Sequence, residues 1–341
     1  MPPKGMTPTL LDVAARAGVS TATVSRCLNS PDQVAERTRK IVMSAVNDLG
    51  YSPNFGAKAM AARRTNTIGA IIPTMENAVW ARGLQAFQEE IRRHGFTMLV
   101  ASTSYRPDIE EEQIRSLVAR GADALLLIGH ERAPEIYKLL ETQGIPSLVT
   151  WAFDRSSIRP SVGFDNRAAM HEIAAKVIEM GHTRLALISA KIANNDRAEA
   201  RLDGLQDAMS DAGLNVSDLQ FVETTYGIDE GAATFEQIMT SGFKPTAIFC
   251  GNDVLAVGAL RRARELGIKV PDEVSIIGFD DIELAQVAYP ALTTVHVPHR
   301  EMGRQSGLAL AKHVNDGTPL EPIELKAYPV IRETLAPVGK A

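Results

Sequence analysis

Two hydrophobic periodicities divide the chain. Over the first sixty residues apolar positions recur at helical spacing. Leu10, Val13, Ala14 and Ala17 share one helix face. Thr9-Leu10-Leu11-Asp12 reads as a capping box, with Thr9 accepting from the third helical amide and Asp12 reaching back. Gly18 ends this helix, and Ser20 caps a second over residues 21–28, with Val24 and Leu28 turned inward. A third helix, near residues 36–49, buries Val42, Ala45, Val46 and Leu49. Ala35, at its N-cap, offers no side-chain acceptor, a loss worth about 1 kcal/mol.

From Thr67 the pattern becomes strand and helix in alternation. Apolar runs begin near Ile68, Thr97, Ala124, Ser147, Leu185, Ala247 and Val274, most of them separated by amphipathic stretches. Gly95, Gly121, Gly144, Gly181, Gly213, Gly242 and Gly267 stand at the helix ends near these runs, where a left-handed cap turns the chain into the next strand. Such alternation predicts an α/β fold with doubly wound parallel sheets, helices covering both faces. The series runs twice, to about Phe164 and then to about Phe279, and residues 292–334 add strand, helix and strand. Two such lobes place a ligand cleft between the carboxyl ends of their strands. The closing LAPVGKA reads as disordered.

Composition narrows the class. The 341 residues argue for two or three domains at ~100–200 residues each. With 45% hydrophobic and 23% charged residues, the chain is neither disordered nor collagen-like. Its longest apolar run, residues 124–128, falls far short of the ~18 a membrane helix needs, so no membrane association is expected. The first residues carry Lys4, Asp12 and Arg16 without an apolar core, so no signal peptide is expected and the expected compartment is the cytoplasm. Cys27 and Cys250 can form neither a disulfide framework nor a four-thiolate zinc site. The net charge of −5 hides an asymmetry: residues 1–66 hold nine Lys/Arg against four Asp/Glu, and the remainder 27 against 37. A basic head on an acidic body points to a polyanion at the head, unless the charges merely cluster on a solvated surface.

Enzyme signatures do not occur. The sequence has no G-x-G, no P-loop, no H-E-x-x-H, no C-x-x-C and no G-x-S-x-G, and its seven histidines are scattered singly. We therefore assign no catalytic residue, no metal site and no cofactor.

The second helix carries the informative chemistry. With Val24 and Leu28 inward, Thr21, Ala22, Ser25, Arg26 and Asn29 form its outward stripe, and Ser20 leads into it. A helix–turn–helix lays such a stripe in the DNA major groove. Arg26 can pair with guanine O6 and N7, whereas Thr9, Thr23, Asn29 and Tyr51 suit phosphates. Periodicity alone leaves a small helical bundle with an incidental arginine as the other reading. The run TLLDVAARAGVSTATVSRCLN from Thr9, with Thr38-Arg39 and Leu49-Gly-Tyr-Ser-Pro-Asn54, closely resembles the head of the LacI/GalR family of bacterial repressors. The body resembles it too, at Gly163-Phe-Asp-Asn166, Gly181-His-Thr-Arg184, Asn252-Asp253, residues 270–281 (VPDEVSIIGFDD) and Leu292-Thr-Thr-Val295, and within the family it is similar to the gluconate-utilisation repressors.

The resemblance covers essentially the whole chain and implies a domain plan. Residues 1–52 would be the helix–turn–helix head and 53–66 a hinge helix. Residues 67–341 would be a type I periplasmic-binding-protein core. Its N-lobe would span about 67–163 and 295–326, its C-lobe about 164–293 and 327–336. It also implies a repressor of duplex DNA carrying a pseudo-palindromic operator, switched by a small sugar or sugar-acid effector. The subunits would form a homodimer, with a tetramer possible, meeting through the helix after Trp80 and the region 261–267. No helical heptads follow Thr334, which favours the dimer over a tail-made tetramer. In the hinge, Met60 falls where the family wedges a leucine into the minor groove, with Ala57 and Lys58 beside it and Asn54 leading in.

For the effector the resemblance points to Arg201, which would clamp ligand oxygens, to Asp280 and Asn252 at strand ends, and to the aromatic residues Trp80 and Tyr226. Two departures matter. Trp151 lies near where some relatives keep an aspartate, and Arg197 replaces a small hydroxyl residue. A second arginine beside Arg201 favours an anionic ligand, unless Arg197 is solvated or paired with Glu199. The rival classes, a sugar-binding protein or sugar-metabolising enzyme without specific DNA binding, would have no use for the basic head.

Overall fold

Thr9 opens the first helix through a reciprocal cap. Its hydroxyl accepts from the Asp12 amide while the Asp12 carboxylate accepts from the Thr9 amide at 2.8 Å. The computed structural model describes residues 7–52 and 64–339. Three helices form the head: α1 (Leu10–Ala17), α2 (Thr21–Asn29) and α3 (Glu36–Leu49). Ser20 caps α2 by accepting from the Thr23 amide at 3.2 Å, and Ala35 gives α3 no side-chain cap. The head's core consists of Val13, Ala14, Val24, Cys27, Val42, Ala45 and Val46. Cys27, rather than Leu28, takes the innermost place beside Val24. The inner stripe of this short helix runs from i to i+3, and Leu28 packs at its margin.

The remainder, from Asn66, forms a second unit. Its first sheet contains β1 (Thr67–Ile72), β2 (Thr97–Ser102), β3 (Ala124–Ile128), β4 (Ser147–Thr150), β5 (Ser161–Gly163) and β11 (Ile323–Glu324), all parallel, in the order β11-β5-β4-β3-β1-β2. The second contains β6 (Leu185–Ala190), β7 (Gln220–Thr224), β8 (Ala247–Cys250) and β9 (Ser275–Ile277), also parallel, in the order β7-β6-β8-β9. A short antiparallel pair, β10 (Thr294–His296) with β12 (Tyr328–Val330), accompanies the return of the chain between the sheets.

Helices α4 (Ala78–Arg93), α5 (Pro107–Ala119), α6 (Pro134–Thr142) and α12 (His299–Asp316) cover the first sheet. The second is covered by α7 (Asn166–Glu179), α8 (Asp196–Asp211), α9 (Ile228–Thr240) and α10 (Asp253–Glu265), with the short α11 (Glu283–Val287) beside α10. Paired helices approach closely where one is bare. A Cβ on Gly303 of α12 would lie 1.9 Å from the Gly83 carbonyl oxygen of α4. The seven helix-ending glycines all hold positive φ, from 65° to 95°.

Residues 335–339 of the LAPVGKA segment depart from the expected disorder, and Lys340 and Ala341 lie outside the described residues. Leu335 is buried, the Ala336 carbonyl lies 2.9 Å from His182 Nε2, and the Val338 amide donates to the Met180 carbonyl at 3.1 Å. One apolar side chain and hydrogen bonds at Ala336 and Val338 tie down a stretch whose composition alone suggested no such anchoring. Among the described residues no helix is long and apolar enough to cross a membrane.

Candidate functional site

On the head, the outward stripe of α2 is built as its spacing predicts. Val24 and Cys27 face the core, while Ala22, Arg26 and Asn29 are exposed and Thr21 and Ser25 half-exposed. Asn29 Nδ2 donates to Ser25 Oγ at 3.2 Å, and Ser20 Oγ lies 2.9 Å from Thr23 Oγ1, so these polar groups hold one another in place. Arg26 makes no ion pair among the described residues; nor do Arg37 and Arg39. Arg16 and Lys40 are paired with Asp48 and Glu36. Tyr51 packs against the margin of the head's core and Thr9 is exposed beside its cap. Asn54, Ala57, Lys58 and Met60 lie outside the described residues.

In the second unit, segments following the carboxyl ends of the parallel strands converge on one cavity of about 30 Å³. Trp80, Trp151, Arg197, Arg201, Tyr226, Asn252 and Asp280 all line it. The placement follows from the topology, because parallel strands deliver their loops to the same edge.

Arg201 is its electrostatic centre. Only 8% exposed, it donates from Nη1 to Asn166 Oδ1 at 2.8 Å and from Nη2 to the Tyr226 hydroxyl at 2.9 Å, and its guanidinium lies 4.9 Å from the Phe279 ring centre. Its Nε is buried without a partner. Both hydrogen-bond partners are neutral. Arg197 differs: Nη1 donates to Asp196 Oδ1 at 2.7 Å, so this arginine is paired with its chain neighbour and is neither solvated nor bound to Glu199. Asp196 also accepts from the His130 amide at 2.5 Å, joining α8 to the end of β3. Burial opposes its charge, but Arg197 and that amide outweigh burial and hold the carboxyl below its usual range. Asp280 stands the other way. Burial pushes its carboxyl well above the usual range, against the pull of Arg201 and with a further push from Asp253.

Trp151 is fixed by a relay. Its indole Nε1 donates to His299 Nδ1 at 3.1 Å, and His299 Nε2 lies 3.1 Å from the Asp280 carbonyl. Indole can only donate, so Nδ1 accepts, Nε2 carries the proton, and the imidazole is neutral. Burial agrees, pushing the His299 pKa down to about 4. The Trp80 ring meets Trp151 edge-on at 5.1 Å, with Trp80 Nε1 buried and unpartnered. Trp151 thus supplies an aromatic wall locked at both ends.

Sequence reasoning missed Tyr105, Asn77, Asn166 and Asn195, which also line the cavity. Asn77, Asn195 and Asn252 are the N-caps of α4, α8 and α10, accepting from the amides of Val79, Ala198 and Leu255. An asparagine just before a helical run and just after a strand could have exposed the first two. Three helix N-termini therefore face the cavity with their partial positive charge. Strain also gathers here. Of the eight non-glycine residues with positive φ among the described residues, Tyr105, Trp151 and Asp280 line the cavity, and Ser104 and Asn194 line the two spaces next to it, at about 1–3 kcal/mol each.

A three-helix reader of duplex DNA and a two-lobed core closed around a polar cavity define a DNA-binding transcriptional regulator that carries its own small-molecule sensor. Residues 9–54 match the model for the bacterial regulatory proteins of the lacI family, and residues 174–335 that for a periplasmic binding protein-like domain. The HTH-type transcriptional regulator GntR of Escherichia coli (strain K12) is 33% identical over 296 residues, 87% of this chain and 88% of that protein. The chain belongs to the lacI family. Among solved structures, a LacI-family transcriptional regulator from Silicibacter pomeroyi superimposes with a TM-score of 0.88 at 27% identity, covering 96% of this chain and 99% of that one. The complex of the transcriptional regulator CelR with cellobiose gives a TM-score of 0.69 at 27% identity, over 96% and 99%.

Proposed function

We propose that this regulator is a dimeric repressor whose operator affinity is set by a sugar acid bound between the lobes, and that it catalyses no reaction. The observation that carries the reading is Arg201. It is a buried cation with neutral partners and a spare N–H, set among three helix N-termini, and a carboxylate is the group that answers it best. Trp80 and Trp151 offer flat faces to a sugar carbon chain, and Asn252 and Asp280 offer polar groups to its hydroxyls. The Asp196–Arg197 pair adds little net charge, so the preference for an anion rests on Arg201. CelR in its cellobiose complex shows that a related core accepts a saccharide.

At the DNA, Thr21, Ala22, Ser25 and Arg26 read bases, Arg26 most strongly. Thr9, Ser20, Thr23, Asn29 and Tyr51 approach phosphates, and Met60 with Asn54, Ala57 and Lys58 serves the minor groove. Two copies meet through the core, where Leu266, Val287 and Tyr289 are exposed apolar side chains.

Selection from random duplexes, followed by anisotropy titrations over a salt series, tests the reading. A pseudo-palindrome should emerge, with affinity falling steeply as salt rises. Arg26→Ala should lose ~1–3 kcal/mol of discrimination at one base pair of each half-site. Gluconate should shift operator affinity by about 5–150-fold and bind more tightly than glucose. Equal binding of the two would sink the sugar-acid assignment.

A further inference from the structure

The central cavity is too small for what it is built to hold. About 30 Å³ is room for roughly one water, whereas small-molecule sites span ~300–1,000 Å³. Two chambers of about 420 Å³ flank it. One side chain, Tyr105, lines all three spaces.

Tyr105 stands in the loop between β2 and α5, after Ser104, and both residues hold left-handed backbone, with φ of 53° and 58°. Side chains rarely adopt that geometry, and two in succession aim the Tyr105 ring into the cleft rather than along the strand direction. There it meets Tyr226 from the other sheet, ring centres 5.8 Å apart and tilted 44°. The two tyrosines are held differently. Tyr226 is anchored by Arg201, whereas the Tyr105 hydroxyl has no hydrogen-bond partner among the described residues.

The chambers differ in chemistry. One is lined by Asp108, Glu110, Glu111 and Glu131, and its arginines 106, 132 and 197 are already paired with carboxylates. The other shares Arg106 but carries only one carboxylate, Glu76, and presents Thr74, Ser104, Thr224, Thr225, Asn77 and Asn195 together with Lys191, a lining suited to further hydroxyl groups. We propose that Tyr105 is the specificity-determining wall of the effector site, limiting it to a single-sugar ligand by closing it off from the hydroxyl- and amide-lined chamber. The proposal rests on the effector reading above.

Calorimetric titration of the full-length wild type, Tyr105→Gly and Tyr105→Phe with two pairs of probes tests it. The pairs are gluconate with lactobionate, and glucose with lactose, each a single sugar against its two-sugar counterpart. Glycine suits the positive φ, and Tyr105→Leu serves as a second truncation should the glycine variant unfold. The wild type should prefer the single-sugar member of a pair at least tenfold. Truncation should shrink that ratio at least tenfold, and Tyr105→Phe should retain it. An unchanged ratio in both truncated variants overturns the wall. If glucose and lactose show the size effect while neither acid binds, the wall stands and the sugar-acid reading falls. If no probe binds the wild type, both fall.

Discussion

The two working surfaces of this regulator are built in opposite ways. The reading helix of the head exposes Ala22, Arg26 and Asn29 on a core of seven small residues, and Arg26 has no ion-pair partner among the described residues. The proposed effector cleft buries its key groups. Arg201 is bonded twice, Trp151 is locked by His299, and several backbones around them are strained. A surface that must meet a polyanion keeps its cations available, because the partner supplies the countercharge. A site that must discriminate among small polar molecules is buried and preorganised, and the fold carries that cost in buried charge and strained φ.

The largest test of this contrast lies in the first sheet's lobe. Arg132, whose side chain is 2% exposed, is bonded to Glu110 at 3.0 Å, to the Tyr137 hydroxyl and to the carbonyls of Ile128 and Gly129. Glu110→Ala leaves a buried cation and should destabilise the core by ~3–5 kcal/mol. Calorimetry should show the core's transition falling while the head's stays in place. A shift of both together would mean that the two units unfold as one.

Next in size is the response to pH. The head contains no histidine, so its stability should be flat between pH 5 and 8. The core holds groups shifted in opposite directions: His299 is lowered, as are His130 and His182, and Asp253 is raised, as is Asp280. His299, depressed to about 4 by burial, contributes stability that is present above about pH 6.5 and lost as pH falls toward 4, by up to about 3 kcal/mol at 1.36 kcal/mol per unit. Asp253 is raised to about 7, chiefly by burial, against its bonds from Thr294 and the Ile282 amide. Its contribution is full below about pH 4 and disappears as pH rises through 7. Melting curves from pH 4 to 8 should show His299→Gln losing less than wild type on the acid side and Asp253→Asn losing less on the basic side. Matching slopes in all three proteins would remove the assignment.

The smallest effect belongs to the head. Ala35→Asp supplies the missing cap of α3 and should raise the head's melting transition by about 1 kcal/mol without altering effector binding.

This contrast also decides what could be read from sequence. The head's chemistry sits on one helix, where the spacing of Val24 from Ser25, Arg26 and Asn29 shows at once which side faces out. Strand–helix alternation likewise gave most of both sheets, but not the three-residue β5, too short for a run, nor β7. That edge strand (QFVET) is only half-buried and lacks the unbroken apolar run of its neighbours. The cleft is assembled from segments far apart in sequence. The family resemblance led to Arg201, yet nothing local marks Tyr105, whose position depends on the backbone of the preceding turn. Nor could the pairing of Arg197 with Asp196 rather than Glu199 be read, since it depends on how the first turn of α8 meets His130.

Gly129, at the end of β3, carries a consequence of its own. A Cβ there would fall 1.9 Å from Arg197 Nη1 and 2.4 Å from Asp196 Oδ1, on a backbone with φ of 73°. The ion pair of one lobe seats in a notch that exists because the other lobe has no side chain at that point. A side chain at Gly129, which does not itself line the cavity, would therefore have to displace Arg197, which does, so a change at this one backbone position would reach the ligand-facing surface indirectly.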